Sequence, residues 1–293
     1  MTEPQPIVRV RGLRKRFGPR QVLKGLSFDI PAGRIYGLVG HNGAGKTTTL
    51  NAVLGLIDHE GEVEVLGLDP YRQRAQLMER VAFVSDVASL PRFLKVRELL
   101  ALVSDIHPRF SRDKALAFLA GTDIELGQKI DKLSKGMVAQ LHLAVAVAID
   151  ARLLVLDEPT LGLDIVSRKQ FYRQLLDDYM TDERTIVIGT HQLDEVETIL
   201  SDIMFVREGQ LVLHATLEQV AERFVELAAD KASLAAAEAL KPILRETRMG
   251  QTSFIFDGVP ASTLAPFGQT RTPSLTDLFV ALMQRGSKVE PAT

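Results

Sequence analysis

The sequence predicts an α/β fold built around a mixed, largely buried β-sheet. Two apolar runs, Leu153–Leu156 and Thr185–Ile188, do not alternate with polar residues and flank a segment of helical periodicity from Ser167 to Tyr179. Continuous apolar runs separated by helices are typical of parallel strands that are covered on both faces. A glycine-rich loop at 40–47 follows a third apolar segment, Arg34–Val39, and precedes a helical pattern. Strands and helices that alternate in this order predict helical layers on a parallel sheet.

The N-terminal residues predict a separate antiparallel β-subdomain. Residues 7–10 and 22–30 alternate between apolar and polar side chains, and Gly18 and Pro19 lie between the two runs. Alternating runs joined through glycine and proline are typical of antiparallel strands connected by a turn.

Further strands are predicted at Glu62–Leu66 and at Val81–Val84. From Lys95 to about Ala148 the apolar residues recur at helical spacing. The interpretation is a helical subdomain, at about 87–150, inserted between two strands of the sheet.

The last eighty or so residues predict a small α+β extension. Residues 203–213 are interpreted as a closing hairpin, and residues 216–245, rich in Ala and Glu, as helical. Ser253–Phe256 is interpreted as a strand. Leu275–Met283 carries an amphipathic helical pattern that Ser274 is suited to cap.

Composition excludes several function classes. The chain has 293 residues, a formal net charge of −2 and no cysteine, so neither a globally basic nucleic-acid binder nor a disulfide or thiolate-metal framework is expected. Its six histidines show no metal-ligand spacing. No apolar run approaches the roughly 20 residues that a membrane-spanning helix needs, and the polar start lacks a signal core.

The segment from Gly40 to Thr47 fits the phosphate-loop pattern G-x-x-x-x-G-K-[ST] without a gap. Glycines let successive backbone N–H groups point at one anion, and the helix that follows adds the partial positive charge of its N-terminus. Lys46 would reach the β- and γ-phosphates, and Thr47 would offer its hydroxyl to Mg²⁺. The sequence therefore predicts a nucleoside triphosphate site.

Two carboxylates follow the apolar run Leu153–Leu156. Asp157 is suited to the Mg²⁺ shell, and Glu158 is suited to polarise a water molecule that attacks the γ-phosphate in line. The pattern alone also fits an acidic turn, but its pairing with a phosphate loop favours an ATPase site.

A second anion-binding device is predicted at Leu133–Met137, where Ser134 precedes a helix that continues to about Ile149. Two such devices in one chain are useful if two copies face each other and each completes the nucleotide site of the other.

Together these motifs resemble the ATP-binding subunits of ABC transporters. The resemblance rests on five segments in order, and it covers about residues 7–215: Gly40–Thr47, Leu133–Met137, Leu153–Glu158, Leu161–Asp164 and Thr190-His191. It implies a P-loop NTPase fold for residues 1–215 and leaves 216–293 as a C-terminal extension. The short Ser-Lys-Gly-Met form and Pro273–Phe279 resemble the ABC-2 export type.

The resemblance implies a role for each matching residue. Phe17 would stack on adenine, where the family usually has tyrosine, and Asp164 would belong to the dimer seam. Ser134 and Gly136 would contact the γ-phosphate bound by the opposite subunit, and His191 would hold the γ-phosphate and position the attacking water. The phosphates would be cradled by Asn42, Gly43, Ala44, Gly45, Lys46, Thr47 and Thr48.

Four further positions depart from the usual family pattern. Asp86 takes the place of the Q-loop glutamine, and we expect it to share catalysis and the Mg²⁺ water shell with altered coupling to the membrane partner. Lys135 and Met137 replace the commoner Gly and Gln. Lys135 either adds positive charge near the opposite phosphate or is simply solvated. His41 replaces a proline and is interpreted as loop variation.

A basic cluster lies in the N-terminal strands: Arg9, Arg11, Arg14, Lys15, Arg16 and Arg20. It is either a patch for nucleic acid or lipid headgroups, or the solvated face of a sheet that directs part of its field at ATP. The second interpretation is favoured.

The resemblance implies an ATP- and Mg²⁺-dependent ATPase that powers export. It would work as a homodimer, or as a heterodimer with a paralogue, on a separate ABC-2 type transmembrane subunit, peripheral to the cytoplasmic face of the inner membrane and without nucleic acid. The alternative is a soluble ABC-type ATPase that acts on nucleic acid or ribosomes. The long coiled coils or second ATPase unit of those proteins are absent from the sequence.

Overall fold

The computed structural model describes residues 6–85, 90–181 and 183–284. Contacts within the chain divide it into two compact units, Met1–Leu211 and Val212–Thr293. The boundary predicted from the sequence, after residue 215, lies four residues further along the chain than this one.

The first unit begins with three strands and the phosphate-loop helix, and then alternates between strands and helices. Its strands are β1 Val8–Phe17, β2 Arg20–Ile30, β3 Ile35–Val39, β4 Glu60–Val65, β5 Val81–Val84, β6 Leu153–Asp157, β7 Thr185–Thr190 and β8 Asp202–Arg207. Strand β9, Gln210–Thr216, begins in this unit and continues past its last residue, Leu211. The helices of this unit are α1 Lys46–Val53, α2 Arg74–Met78, α3 Val96–Ile106, α4 Arg112–Leu119, α5 Lys135–Val147 and α6 Ile165–Tyr179, with 3-10 turns at Ile130–Lys132 and Leu193–Glu195.

The main sheet has six strands in the order β5-β6-β7-β3-β8-β9. Strands β5, β6, β7, β3 and β8 pair in parallel. Every residue of β3, β6 and β7 is buried, as expected for parallel strands that are covered on both faces. Their carboxyl ends therefore open at one edge of the sheet, where the phosphate loop follows β3.

The N-terminal residues form a separate antiparallel sheet in the order β2-β1-β4. Alternate residues of these strands, such as Val8, Val10 and Leu26, are buried and share a core with α1 and with β3. The α/β fold with a mixed sheet and an antiparallel N-terminal subdomain is confirmed. Helices α3, α4 and α5 lie between β5 and β6 in the chain, and α4 packs on α5.

The second unit is an antiparallel sheet with short helices. Its strands are β10 Phe224–Ala229, β11 Leu244–Arg248, β12 Gln251–Asp257 and β13 Gly268–Arg271, in the order β11-β12-β10-β13. Its helices are α7 Leu217–Arg223, α8 Leu234–Ala239, α9 Ala261–Leu264 and α10 Leu275–Gln284, with 3-10 turns at Lys231–Ser233 and Ala265–Phe267. Leu227, Phe254, Phe256 and Leu264 form the centre of its core.

The prediction that residues 216–245 are helical was wrong for much of the segment. Residues 224–229 form β10, which pairs with β12 on one side and with β13 on the other. Both partners lie later in the chain, and burial of Leu227 between them outweighs the helical preference of the surrounding alanine and glutamate.

Within the residues that the structure describes, none of the helices combines the length and the apolar character that crossing a bilayer requires.

Candidate active site

A pocket of about 590 Å³ opens where the phosphate loop, the end of β6 and the end of β7 meet the first hairpin. The predicted site residues that line it are Phe17, Asn42, Gly43, Gly45, Lys46, Thr47, Thr48, Glu158 and His191. Ala44 is buried. Arg20, Val22 and Leu161 also line the pocket.

The loop takes its shape from glycines that either leave no room for a side chain or have a positive φ. A Cβ on Gly40 would lie 2.5 Å from the carbonyl oxygen of Val206 in β8. Gly43 and Gly45 have φ angles of +81° and +111°, which residues with a Cβ rarely adopt. Gly45 is the N-cap of α1 and makes no side-chain capping bond, so the first N–H groups of the helix are left for an anion.

Lys46 is held in the loop by groups of the chain itself. Its side chain is only 6 % exposed, and Nζ donates to the carbonyl oxygen of Gly40 at 2.8 Å. The same Nζ lies 3.5 Å from Oε1 of Glu158. A buried ammonium needs such partners, because burial of an unpaired charge is costly.

Glu158 is fixed by three neighbouring groups just after the end of β6. Its backbone has a φ of 49°, and its N–H donates to the carbonyl oxygen of Gly189 at 2.8 Å. The Thr190 hydroxyl donates to Oε2 at 3.2 Å, and His191 Nδ1 lies 2.8 Å from Oε1. The carboxylate is thus oriented by both β6 and β7, at the edge of the pocket that also contains Lys46.

Oxygen donors are available beside this carboxylate. Asp157 is 4 % exposed, and its Oδ1 lies 3.1 Å from where a Cβ on Gly189 would be, so glycine keeps this space open. Thr47 lines the pocket at the start of α1. Hydroxyl and carboxylate oxygens suit a hard divalent cation. Among the described residues, no group of three or more His, Cys, Asp or Glu forms a metal cage.

A buried polar network behind the pocket was missed by the sequence analysis. The Thr160 hydroxyl donates to Glu195 Oε2 at 3.0 Å and lies 3.2 Å from the Tyr172 hydroxyl. Arg168 of α6 pairs with the other oxygen of Glu195. Burial raises the pKa of Glu195 above its usual range. No local pattern marks Glu195, since its partners lie in other elements.

Ser134, Gly136 and Asp164 lie together, but they do not line this pocket. Ser134 and Gly136 border a separate hollow of about 270 Å³, which Ser167 of α6 also lines. A Cβ on Gly136 would lie 3.2 Å from Ser167 Oγ. Asp164 caps α6 by accepting from the N–H groups of Val166 and Ser167, and the bond from Ser167 lowers the pKa of its carboxyl.

Asp86, for which the sequence predicts a catalytic and metal-binding role, lies outside the described residues.

Comparisons with known proteins agree on one family. The profile of the ABC transporter family matches residues 23–161. The Nod factor export ATP-binding protein I of Burkholderia lata is 33 % identical over 94 % of this chain and 96 % of its own length. The bacitracin transport ATP-binding protein BcrA of Bacillus licheniformis is 31 % identical over 74 % of this chain and 72 % of its own length.

Solved structures agree on the fold. An ATP-binding cassette dimer in a post-hydrolysis state with ADP and Pi matches with a TM-score of 0.64 and 22 % identity, over 72 % of this chain and 98 % of that one. The protein cbiO1 of Clostridium perfringens, part of an ABC transporter complex, matches with a TM-score of 0.65 and 22 % identity, over 74 % of this chain and 90 % of that one.

Proposed function

Because this chain belongs to the ABC transporter family, as an ATP-binding subunit that hydrolyses ATP to drive transport, we propose that it powers an exporter of the ABC-2 type through a separate transmembrane subunit. Two features support export. One relative is named for Nod factor export and matches almost the whole chain, including the C-terminal extension. The segment Pro273–Phe279 and the short Ser-Lys-Gly-Met motif fit the same subgroup.

The observation that supports ATP hydrolysis at this site is the convergence of Lys46, Glu158 and His191. Glu158 Oε1 lies 3.5 Å from Lys46 Nζ and 2.8 Å from His191 Nδ1, at the wall of one pocket. We assign Lys46 to the β- and γ-phosphates, Glu158 to the attacking water as general base, and His191 to the γ-phosphate. In this arrangement ATP would displace the Lys46–Glu158 pair, and the released carboxylate would be free to accept a proton.

Phe17 is assigned to the adenine ring. It is 51 % exposed at the wall of the pocket, and Lys15 Nζ lies 5.0 Å from its ring centroid. A large half-exposed aromatic ring offers a base a flat surface for stacking. The backbone N–H groups of residues 42–48 would then surround the phosphates, because they follow one another around the loop and the start of α1.

Thr47 and Asp157 would hold Mg²⁺, together with phosphate oxygens and water, and we retain Asp86 in that shell as a prediction. Mg²⁺ usually keeps several waters and takes only one or two protein oxygens, which fits this sparse donor set. When bound, the ion neutralises negative charge on the phosphates.

We propose that two copies, or one copy and a paralogue, close head-to-tail over two nucleotides at the cytoplasmic face of the membrane. Ser134, Gly136 and Asp164 are exposed or half-buried and lie outside the pocket of their own chain. In such a dimer they would face the γ-phosphate held by the opposite subunit.

Glu158→Gln tests two claims together: that Glu158 is the general base, and that the chain works with a transmembrane subunit. The tagged variant and the wild-type chain are purified with ATP from mildly solubilised membranes. We expect the variant to bind ATP, to lose at least about 100-fold in turnover, and to be recovered as a dimer with a stoichiometric polytopic membrane protein, since positioned acid–base groups contribute about 10² to 10⁴ in rate.

The matched control is Glu222→Gln, at an exposed glutamate of α7 in the other unit, which should hydrolyse ATP like the wild type. Normal turnover in the Glu158 variant would overturn the base assignment. Ribosomes or nucleic acid in place of a membrane protein would overturn the exporter.

A further inference from the structure

The basic cluster of the first hairpin, formed by Arg9, Arg11, Arg14, Lys15, Arg16 and Arg20, divides into two parts. Four of its side chains form hydrogen bonds or ion pairs with neighbours outside the pocket lining. These neighbours are Asp29 and Glu64 for Arg9, Asp29 for Arg11, Asp58 for Lys15, and the carbonyl oxygen of Pro19 for Arg16. Arg14 lies beside Gly25 and does not line the pocket. Most of the cluster thus serves the antiparallel sheet itself, as the sequence analysis favoured.

Arg20 differs because it lines the pocket. It pairs with Phe17 across the hairpin, and directly opposed residues of an antiparallel pair project from the same face. Its Nη2 lies 3.5 Å from where a Cβ on Gly43 would be. Within the described part of the chain, no carboxylate lies within 4.0 Å of its guanidinium.

This position lies between the two ends of a nucleotide. Phe17 marks the end that would hold the base, and Gly43 belongs to the loop that would hold the phosphates. An extended phosphate chain runs away from the base, so a side chain that starts opposite Phe17 and reaches Gly43 meets the phosphates nearest the ribose. A guanidinium presents a planar fork of N–H donors that matches two phosphate oxygens, with its charge retained at every working pH.

We propose that Arg20 binds the α- or β-phosphate of the nucleotide, and so contributes affinity that ATP and ADP share. The inference rests on the proposed assignment of this pocket to the nucleotide. Arg20 would thus bind a different part of the phosphate chain from Lys46, which we assign to the β- and γ-phosphates. We also predict that Arg20 acts on binding rather than on the hydrolytic step, so its loss should raise KM and leave kcat unchanged.

The test measures the Kd of ATP, ADP and adenosine for Arg20→Gln in the full chain, by titration calorimetry at fixed Mg²⁺ and salt. We expect about tenfold weaker binding of both ATP and ADP, with their ratio unchanged and adenosine unaffected, since removal of one charged hydrogen-bond partner typically has this effect. Arg16→Gln removes the same charge from the same hairpin and should bind all three like the wild type.

Arg20→Lys keeps the charge without the fork and should recover part of the lost ADP affinity. The proposal fails if Arg20→Gln binds ADP normally, if only ATP is weakened, if adenosine is weakened equally, or if the lysine variant is as weak as the glutamine variant. Lys46→Ala in the same series separates the two claims. Unchanged ATP binding there would overturn the pocket assignment, whereas a loss there with normal Arg20→Gln binding overturns only the role of Arg20.

Discussion

The helices α1 and α5 both begin at a predicted anion site, yet their N-termini are built differently. Gly45 caps α1 with no side-chain bond, and the next residue, Lys46, is buried against Glu158. Ser134 caps α5 with its own hydroxyl, which accepts from the N–H of Met137 at 3.2 Å, and both Ser134 and Lys135 are exposed. The first N-terminus leaves its donors for a ligand inside a pocket, whereas the second occupies one donor itself and faces outward.

The difference indicates what each site can do alone. The α1 site brings together a lysine, a carboxylate and a histidine, to which we have assigned phosphate binding and activation of water. The α5 site has a serine, a glycine and a helix N-terminus, and its neighbour Asp164 is used to cap α6. It offers hydrogen-bond donors but no group positioned as a general base. Under the proposed assignment, one chain carries the groups that hydrolyse ATP and a separate surface that would face the nucleotide of the opposite subunit, and the two should respond differently to mutation.

Lys46→Ala should have the largest effect, because it removes the buried charge of the α1 site. We expect at least about 30-fold weaker ATP binding, since loss of one partner of a buried charge pair costs roughly 2–5 kcal/mol. Glu158 would also be left to repel the γ-phosphate. Equilibrium binding of a fluorescent ATP analogue measures the change.

Lys24→Ala is the matched control for that variant, because Lys24 pairs with Glu208 and does not line the pocket. It should bind ATP like the wild type. If Lys46→Ala bound ATP normally, the assignment of the α1 N-terminus to ATP binding would be wrong.

Ser134→Asp should have an intermediate effect, confined to turnover. Aspartate is as good an N-cap as serine and favours a helix N-terminus, so the free energy of unfolding should stay close to that of the wild type. ATP binding by the isolated chain should also be unchanged, because Ser134 lies outside its own pocket. Repulsion of the opposite γ-phosphate should lower turnover at least about tenfold, or roughly 1.4 kcal/mol.

Ser134→Ala separates charge from capping. It loses the bond to Met137 and about 1 kcal/mol of helix stability, but it adds no negative charge, so it should retain more turnover than the aspartate variant. Equal turnover in the two variants, or weaker ATP binding by the isolated Ser134→Asp chain, would contradict the assignment of α5 to an opposite subunit.

The sequence was sufficient for the parts of the fold that depend on local pattern. The apolar runs that became β3, β6 and β7, and the glycine loop between β3 and α1, carry their structure in consecutive residues. By contrast, β10 lies in a segment of helix-forming residues and is a strand because β12 and β13 pair with it. Pairing with later strands is non-local, so composition around 224–229 gave the wrong state.

In the candidate site, too, the residues in local motifs could be predicted from the sequence and the contacts between distant residues could not. Lys46, Asp157 and Glu158 belong to motifs of consecutive residues and can therefore be predicted from the sequence. Glu195 contacts Thr160 and Arg168, which belong to other elements, so no sequence motif predicts these contacts. Arg20 could not be told from its basic neighbours by sequence, because only the register of the hairpin puts it opposite Phe17.

A short connection leads from the end of α5 to the start of β6, the strand that precedes Glu158. Asp150 lies in this connection and forms ion pairs with two arginines. Its carboxylate pairs with Arg109, which precedes α4, and with Arg184, which precedes β7, at 3.3 Å for the latter. The hydrogen bond from Arg109 lowers the pKa of Asp150, with a smaller contribution from Arg184. The connection between α5 and β6 is thus held by two ion pairs, which protonation of Asp150 would weaken.

Asp150→Asn should have the smallest effect, on stability rather than on binding. At neutral pH we expect a loss of about 0.5–1 kcal/mol in the free energy of unfolding, because water screens pairs as exposed as these. A lowered folded-state pKa contributes stability above the unfolded value of about 3.9 and loses it as pH falls through the folded value. The difference from the wild type, followed by thermal unfolding from pH 7 downwards, should therefore persist to about pH 4 and shrink below it.

Asp177→Asn is the control for this variant, because it removes a single exposed pair within α6, and it should show a smaller difference at neutral pH. A difference for Asp150→Asn that grew on acidification would mean that the connection is held by shape and not by charge.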